Sequence, residues 1–360
     1  MTLPFNRIHK SFKLNGNYYS HEDLKELAYS FIKEGETYEK EIGIFLIDWL
    51  SEKDFLFVKS SGSTGKPKII EIFKQSMVNS ALATGDFFNL KQGNKALLCL
   101  PCSYIAGKMM LVRAMVLGLE IDCVQPASQP VFDTNKHYHF SAMVPLQVQN
   151  TINNLQNIDK IIIGGSQVSA IIKNKIKNNP SKFYETYGMT ETVTHIAVKP
   201  LQSKNNKGQD CFKALKNVSF EQDERQCLVI NAPGLVSEKL ITNDIVDLKS
   251  ETEFKWLGRY DNVINSGGVK LFPEQIESKL QSYVKSRFFV AGEEDSVLGE
   301  KLILIVENLT ESPEAILANI KKNKDLGRFE IPRHVFTVEK FVETSSGKIQ
   351  RKKTIAKALH

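Results

Sequence analysis

From residue 21 to residue 51 the apolar positions follow helical spacing, which predicts two amphipathic helices over 21–34 and 38–51. A short apolar run at 55–58 follows, then a loop of Ser, Gly and Thr. A strand-like run at 69–73 leads into a helical stretch over 74–87. Beyond it the two periods take turns. Strand-like runs fall at 96–100, 120–124, 160–163 and 182–187, and helix-like stretches at 104–117, 146–155 and 168–177. Strands alternating with helices predict an α/β architecture with a largely parallel sheet.

After Thr194 the texture changes. A polar loop rich in Lys, Asn and Gly at 203–210 precedes several short strands reaching about Leu257, which predicts a β-rich subdomain closing a large domain. A new unit starts near Gly258: a helix at 273–280, strands at 288–291 and 301–306, a helix at 313–322, a strand at 334–338 and a basic terminal helix. The expected organisation is a large α/β domain over 1–258 and a small α+β domain over 259–360, and 360 residues suits two domains.

Composition narrows the field. With 42% hydrophobic and 24% charged residues the chain is an ordinary globular sequence. No apolar run approaches the roughly 18–20 residues of a membrane span, and residues 1–12 lack a signal-peptide pattern, so a cytoplasmic location is expected. The formal charge of +6 comes from lysines spread along the chain, without the basic strip that nucleic-acid binding needs. A positive surface of this kind suits polyanionic small molecules. Cys99 and Cys102 form a C-x-x-C inside an apolar strand and the loop after it. No second pair completes a zinc site, so all five cysteines are read as reduced.

Five loops carry candidate chemistry. Ser60-Ser61-Gly62-Ser63-Thr64-Gly65-Lys66-Pro67-Lys68 offers glycines for tight turning, hydroxyl donors and cations, the materials of a phosphate cradle. It is not a Walker A loop, because Gly62 and Gly65 stand too close together and a strand follows. Ile163-Gly164-Gly165-Ser166 ends a strand in two glycines. Tyr187-Gly188-Met189-Thr190-Glu191 lies at another strand's carboxyl end, where open α/β sheets place ligands. The fourth loop runs from Trp256 through Gly258-Arg259-Tyr260-Asp261 to Ser266-Gly267-Gly268-Val269-Lys270. The fifth, Glu343-Thr344-Ser345-Ser346-Gly347-Lys348, presents one lysine near the C-terminus.

In order and spacing these segments resemble the adenylate-forming (ANL) superfamily of acyl- and aryl-CoA ligases, peptide-synthetase adenylation domains and luciferases. The resemblance covers roughly residues 55–353. It implies that Ser60, Ser61, Gly62, Ser63, Thr64, Gly65 and Lys66 grip the ATP β- and γ-phosphates. It also implies that Gly164, Gly165 and Ser166 line the adenine, with Tyr187 and Gly188 beside it. Thr190 would contact the α-phosphate, Glu191 would ligate Mg²⁺, and Asp244 and Arg259 would bind the nucleotide. Asp261 would be the hinge between domains. Gly267, Gly268 and Lys270 would face the site when coenzyme A accepts the acyl group, and Lys348 would serve adenylation. Three positions depart from the family pattern. Thr242-Asn243-Asp244 replaces Thr-Gly-Asp, Val342-Glu343-Thr344 replaces Pro-Lys/Arg-Thr, and Tyr104 stands for the usual His or Phe at the acyl pocket.

The phosphate loop begins about 60 residues into the chain, which implies a shortened N-terminal subdomain. This compact form, with Ala106-Gly107-Lys108-Met109-Met110 and Thr192-Val193-Thr194-His195, is similar to the short o-succinylbenzoate–CoA ligases of menaquinone biosynthesis. The implied substrates are ATP with Mg²⁺, coenzyme A and a carboxylic acid that keeps a second carboxylate. Lys108, His195 and Arg113 are candidates to hold that carboxylate. The alternatives are a ligase for another aryl or short fatty acid, and an adenylation module loading a carrier protein.

Overall fold

The computed structural model describes residues 5, 8–59, 68–202, 210–309, 311–344 and 349–359. The chain opens with a small hairpin, β1 (Lys13–Leu14) and β2 (Asn17–Tyr18), and then α1 (His21–Glu34), α2 (Thr37–Leu50), β3 (Phe55–Lys59) and β4 (Ile69–Phe73). Ser20 starts α1 through a reciprocal cap with Asp23, satisfying two otherwise unpaired backbone or side-chain donors. The alternating region follows as α3 (Lys74–Phe88), β5 (Lys95–Leu98), α4 (Ile105–Leu117), β6 (Glu120–Cys123), β7 (Tyr138–Met143), α5 (Pro145–Thr151), β8 (Ile158–Ile163), α6 (Ala170–Ile176) and β9 (Lys182–Gly188). Next come β10 (His195–Pro200), β11 (Phe212–Ala214), β12 (Ser219–Gln222), β13 (Cys227–Asn231), β14 (Leu240–Ser250) and β15 (Glu253–Arg259). The last stretch holds β16 (Ile264–Ser266), β17 (Val269–Leu271), α7 (Pro273–Leu280), β18 (Phe288–Asp295), β19 (Gly299–Glu307), α8 (Pro313–Ile320), β20 (His334–Val338) and α9 (Arg351–Leu359).

Thirteen strands form one sheet in the order β12-β13-β14-β15-β11-β10-β9-β8-β7-β5-β6-β1-β2. From β1 across to β9 every neighbouring pair is parallel, and from β9 to β12 every pair is antiparallel. The expected β-rich subdomain is therefore a continuation of the parallel sheet, joined to it where β10 folds back on β9. The period of two sorts consecutive residues onto two cores. Ala96, Leu98, Phe140 and Ile162 face the helices α1–α4, while Leu97, Met143, Ile161 and Ile163 face α5 and α6. The same sorting places Cys102 in the first core and Cys99 in the second. All five cysteines are free and buried.

A smaller sheet, β17-β16-β19-β18 with β20 parallel to β19, follows the 3₁₀ turn Tyr260–Asn262. It is covered on one side by α7 and α8 and on the other by α9. β3 and β4 pair only with each other, Lys59 opposite Ile69, and β4 packs beside the 3₁₀ turn Thr190–Thr192. No helix of the described residues is long and apolar enough to cross a membrane.

Candidate functional site

The carboxyl ends of β8 and β9 lie side by side, and two of the predicted loops leave from them. Gly165 turns with φ +89°, in the left-handed region open to glycine. Thr186 Oγ1 donates to the Ile163 carbonyl at 3.0 Å, tying the two strand ends together. Gly188 is required for a different reason. A Cβ there would sit 2.3 Å from the Thr194 carbonyl oxygen of the antiparallel neighbour. The turn beyond it, Thr190–Thr192, closes with the Met189 N–H donating to Thr192 Oγ1 at 3.0 Å. Val193 then takes φ +66° and ψ −57°, a costly backbone for a β-branched residue. Strain on the order of 1–3 kcal/mol is stored between Glu191 and His195. Glu191 is exposed at this turn.

Asp244 is the best organised of the candidates. On β14 it is buried, and it accepts from Tyr187 Oη at 2.7 Å, Trp256 Nε1 at 3.2 Å and Arg259 Nη1 at 3.4 Å. Burial and the Asp244 charge hold the Tyr187 phenol well above its ordinary value, so it stays a donor. Its ring packs on Phe212 and Phe254. A carboxylate offers about four acceptor positions, so three donors leave room for one more. Trp256 was seen in the sequence only as the head of a loop, and nothing in the local pattern marks it as an Asp244 partner. Arg259 also reaches Asp261 at 3.4 Å.

Of the three candidates for the second carboxylate, the structure brings Arg113 and His195 together and sets Lys108 apart. Lys108, on α4, points to α2, its ammonium 5.1 Å from the Phe45 ring centre, and burial lowers its pKa. Arg113, one and a half turns on, faces β10, with Nη2 3.3 Å from Thr194 Oγ1 and 3.5 Å from His195 Nδ1. Arg113 is 1% exposed, its Nε has no partner, and burial pulls its pKa from 12.5 to about 9. Arginine only donates, so His195 Nδ1 accepts and its Nε2 carries the proton, 3.5 Å from Thr84 Oγ1. Burial and the Arg113 charge hold His195 well below its ordinary value, hence neutral. His195 also lines a cavity of about 400 Å³ between α3 and the segments around Asn217 and Leu235. Tyr104, at the start of α4, is 46% exposed.

In the smaller unit Gly267 and Gly268 form the two-residue tip of the β16–β17 hairpin, with φ +59° and +80°. Both central residues at positive φ are the requirement of a tight hairpin turn. Lys270 is exposed on β17. Residues Ser60, Ser61, Gly62, Ser63, Thr64, Gly65 and Lys66 lie outside the described residues, as does Lys348. The flanks of the latter are closed by the bridge Glu343↔Ile349 and by the Gln350 N–H on the Val342 carbonyl at 2.7 Å.

Among the described residues one group could share an ion: His137, His139 and Asp159, at the amino ends of β7 and β8 and so at the edge away from Gly164. His139 Nδ1 already accepts the Lys95 N–H at 3.0 Å, which leaves its other nitrogen protonated and without a lone pair for a metal.

With fold and geometry in place, comparison with known proteins gives the class. The AMP-binding enzyme family matches residues 32–230, more than half of the chain, and the chain belongs to that family. The 2-succinylbenzoate–CoA ligase of Listeria monocytogenes is 25% identical over 361 residues, covering 91% of this chain and 74% of the relative. The enzyme of the same name from Staphylococcus aureus is 23% identical over 82% of this chain and 65% of its own. An acyl-CoA synthetase (AMP-forming)/AMP-acid ligase II-like protein from Dyadobacter fermentans is 33% identical, with 93% of this chain and 98% of that one covered at a TM-score of 0.61. The Bacillus subtilis O-succinylbenzoate coenzyme A synthetase, solved with ATP and magnesium ion, shares the fold at a TM-score of 0.71 and 18% identity, covering 94% and 82%.

Proposed function

We propose that this enzyme joins a dicarboxylic aryl acid of the 2-succinylbenzoate type to coenzyme A, at the expense of ATP, through an acyl-adenylate. Family membership supports the adenylation. The observation that carries the acid class is Arg113, a buried guanidinium with no carboxylate partner among the described residues. It sits beside Thr194 and His195, three and four residues past Glu191. An unpaired buried cation is costly, and a substrate carboxylate that must stay unreacted would neutralise it.

In the first half-reaction an oxygen of the reacting carboxylate bonds to the α-phosphorus of ATP and pyrophosphate leaves. In the second the coenzyme A thiol attacks the acyl carbon, losing its proton, and AMP leaves. The protein's task in the first step is positioning and charge neutralisation. Asp244 would take a ribose hydroxyl in its remaining acceptor position. Magnesium arriving with ATP would find an exposed oxygen ligand in Glu191, the donor type that ion prefers. The loop Ser60–Lys66 and Lys348 would supply the remaining positive potential. Thr190 would reach the α-phosphate, and Gly164, Gly165 and Ser166 would lie along the base.

The smaller unit, residues 259–360, would swing about Asp261 so that Lys348 and the Gly267–Lys270 hairpin face the site in turn. ATP and coenzyme A as substrates support a cytoplasmic location for the reaction. The test is an acid panel with ATP, magnesium and coenzyme A, reading AMP, pyrophosphate and product mass. AMP formation with 2-succinylbenzoate and not with the matching monoacid is expected. ADP formation, or equal rates with both acids, would overturn the proposal.

A further inference from the structure

Where the adenylate-forming family carries a glycine between Thr and Asp, this chain carries Asn243, and both ends of its side-chain amide meet a partner. We propose that Asn243 and Arg225 are positioning residues that catch the hinge turn and favour the one domain orientation in which these contacts are made. The proposal rests on the reading of Asp261 as the hinge.

The catch begins at the β12–β13 turn. Asp223 accepts the backbone N–H groups of Arg225 and Cys227 at 2.9 and 2.8 Å, and its other oxygen accepts from Arg225 Nε at 2.8 Å. The guanidinium is thereby aimed before it meets anything else. Its Nη1 donates to Asn243 Oδ1 at 3.0 Å and its Nη2 to the Thr242 carbonyl at 3.2 Å, both on β14. Since arginine has no acceptor, the Asn243 carbonyl must face it, and the amide NH₂ must face the other way. There it meets Asp261 Oδ2 at 3.4 Å, and Arg259 Nη2 reaches the same oxygen at 3.4 Å. The Arg225 guanidinium also covers the ring of Tyr260, the residue before the hinge, at 5.2 Å. Two of the three residues of the 3₁₀ turn are thus held by side chains of the large sheet. Glycine at 243 could make none of the Asn243 contacts.

The contacts on Asp261 are long and half exposed, and each is weak. That suits a catch that must release in every cycle. Together with the cation–ring contact they correspond to a bias of roughly three- to tenfold between two orientations.

The experiment uses the full chain with Gln92→Cys and Lys322→Cys, one on each side of the hinge and both exposed. The five native cysteines are buried, so a thiol label goes to the introduced pair. Inter-label distances are measured with ATP and magnesium, and with a supplied acyl-adenylate plus coenzyme A, alongside pyrophosphate exchange and thioester formation from that adenylate. Asn243→Gly and, independently, Arg225→Met should each lower the population of one of the two inter-label distances about three- to tenfold relative to the other. The ratio of the two half-reaction rates should change while ATP affinity holds. Two distances whose proportions neither variant alters would overturn the catch alone. A loss of ATP affinity that accounts for the whole rate change would assign Asn243 to the Asp244 site and overturn it as well. A single distance under both conditions in the unsubstituted hinge would overturn the hinge reading and the catch with it.

Discussion

Replacing Arg113 by methionine separates what this residue does for the fold from what it does for the substrate. Burial alone pulls the guanidinium from 12.5 to about 9, yet at pH 7 to 8 it keeps its proton and carries the whole desolvation cost. At 1.36 kcal/mol per pKa unit that cost is on the order of 5 kcal/mol. Thr194 and His195 recover part of it at 3.3 and 3.5 Å. A methionine of similar length removes the charge without opening a large cavity, so the ligand-free protein should gain about 1–3 kcal/mol, a rise in Tm of several degrees. The substrate effect runs the other way. A second carboxylate brought into this pocket without its cation would lose about 3–4 kcal/mol, a fall of roughly 10²–10³ in kcat/KM. The assay is pyrophosphate release with 2-succinylbenzoate and with a monocarboxylic analogue, together with thermal unfolding. Arg113→Met should lower only the first rate, raise Tm and leave the KM for ATP unchanged. An equal fall with both acids, or a lower Tm with discrimination intact, would refute the assignment.

Other outcomes follow from the same geometry. His195 is neutral in the fold and held well below 6.5, so below pH 6.5 the unfolded chain takes up a proton that the folded chain refuses. Stability should therefore fall as pH drops through 6.5, and His195→Asn should flatten that slope in Tm measured from pH 5 to 8. Asp244→Ala would strand the half-buried Tyr187 hydroxyl and Trp256 N–H, costing about 1–3 kcal/mol in all in chemical denaturation, and should raise the KM for ATP. Gly188→Ala would force a Cβ to 2.3 Å from a backbone oxygen, and pyrophosphate exchange should drop by about tenfold or more as the Thr190–Glu191 turn shifts. Lys348→Ala should abolish adenylate formation and keep thioester formation from supplied acyl-adenylate. Equal loss of both half-reactions would contradict that division of labour.

The α/β alternation and the loops at the strand ends were legible because burial on two faces and tight turning leave marks in residue type. β7 was not. His137-Tyr138-His139-Phe140-Ser141 alternates polar and apolar residues but holds two histidines and a serine, unlike the continuous apolar runs of its neighbours, although Tyr138, Phe140 and Ser141 are all buried. The union of the parallel and antiparallel halves into one sheet was hidden too, because strand pairing across β9 and β10 is long-range information. The acyl-side cations show the limit most clearly. α4 is apolar all round and nearly every position is buried, so it has no polar stripe to fix its rotation. Lys108 and Arg113 are close in sequence but roughly 140° apart around the helix, and only the packing reveals that one faces Phe45 and the other His195. Trp256 and Arg225 joined the site through side chains whose neighbours are distant in sequence, which no local motif encodes.

The concealment of every cysteine bears on chemistry as well as packing. An activated acyl group is indifferent to which sulfur it meets, and a protein thiol within reach would be acylated in place of the intended acceptor. Here burial pushes Cys99 and Cys102 up to about 12 and Cys123 well above its ordinary value. Burial thus keeps these sulfurs as protonated, poorly nucleophilic thiols, Cys102 included, two residues from Tyr104.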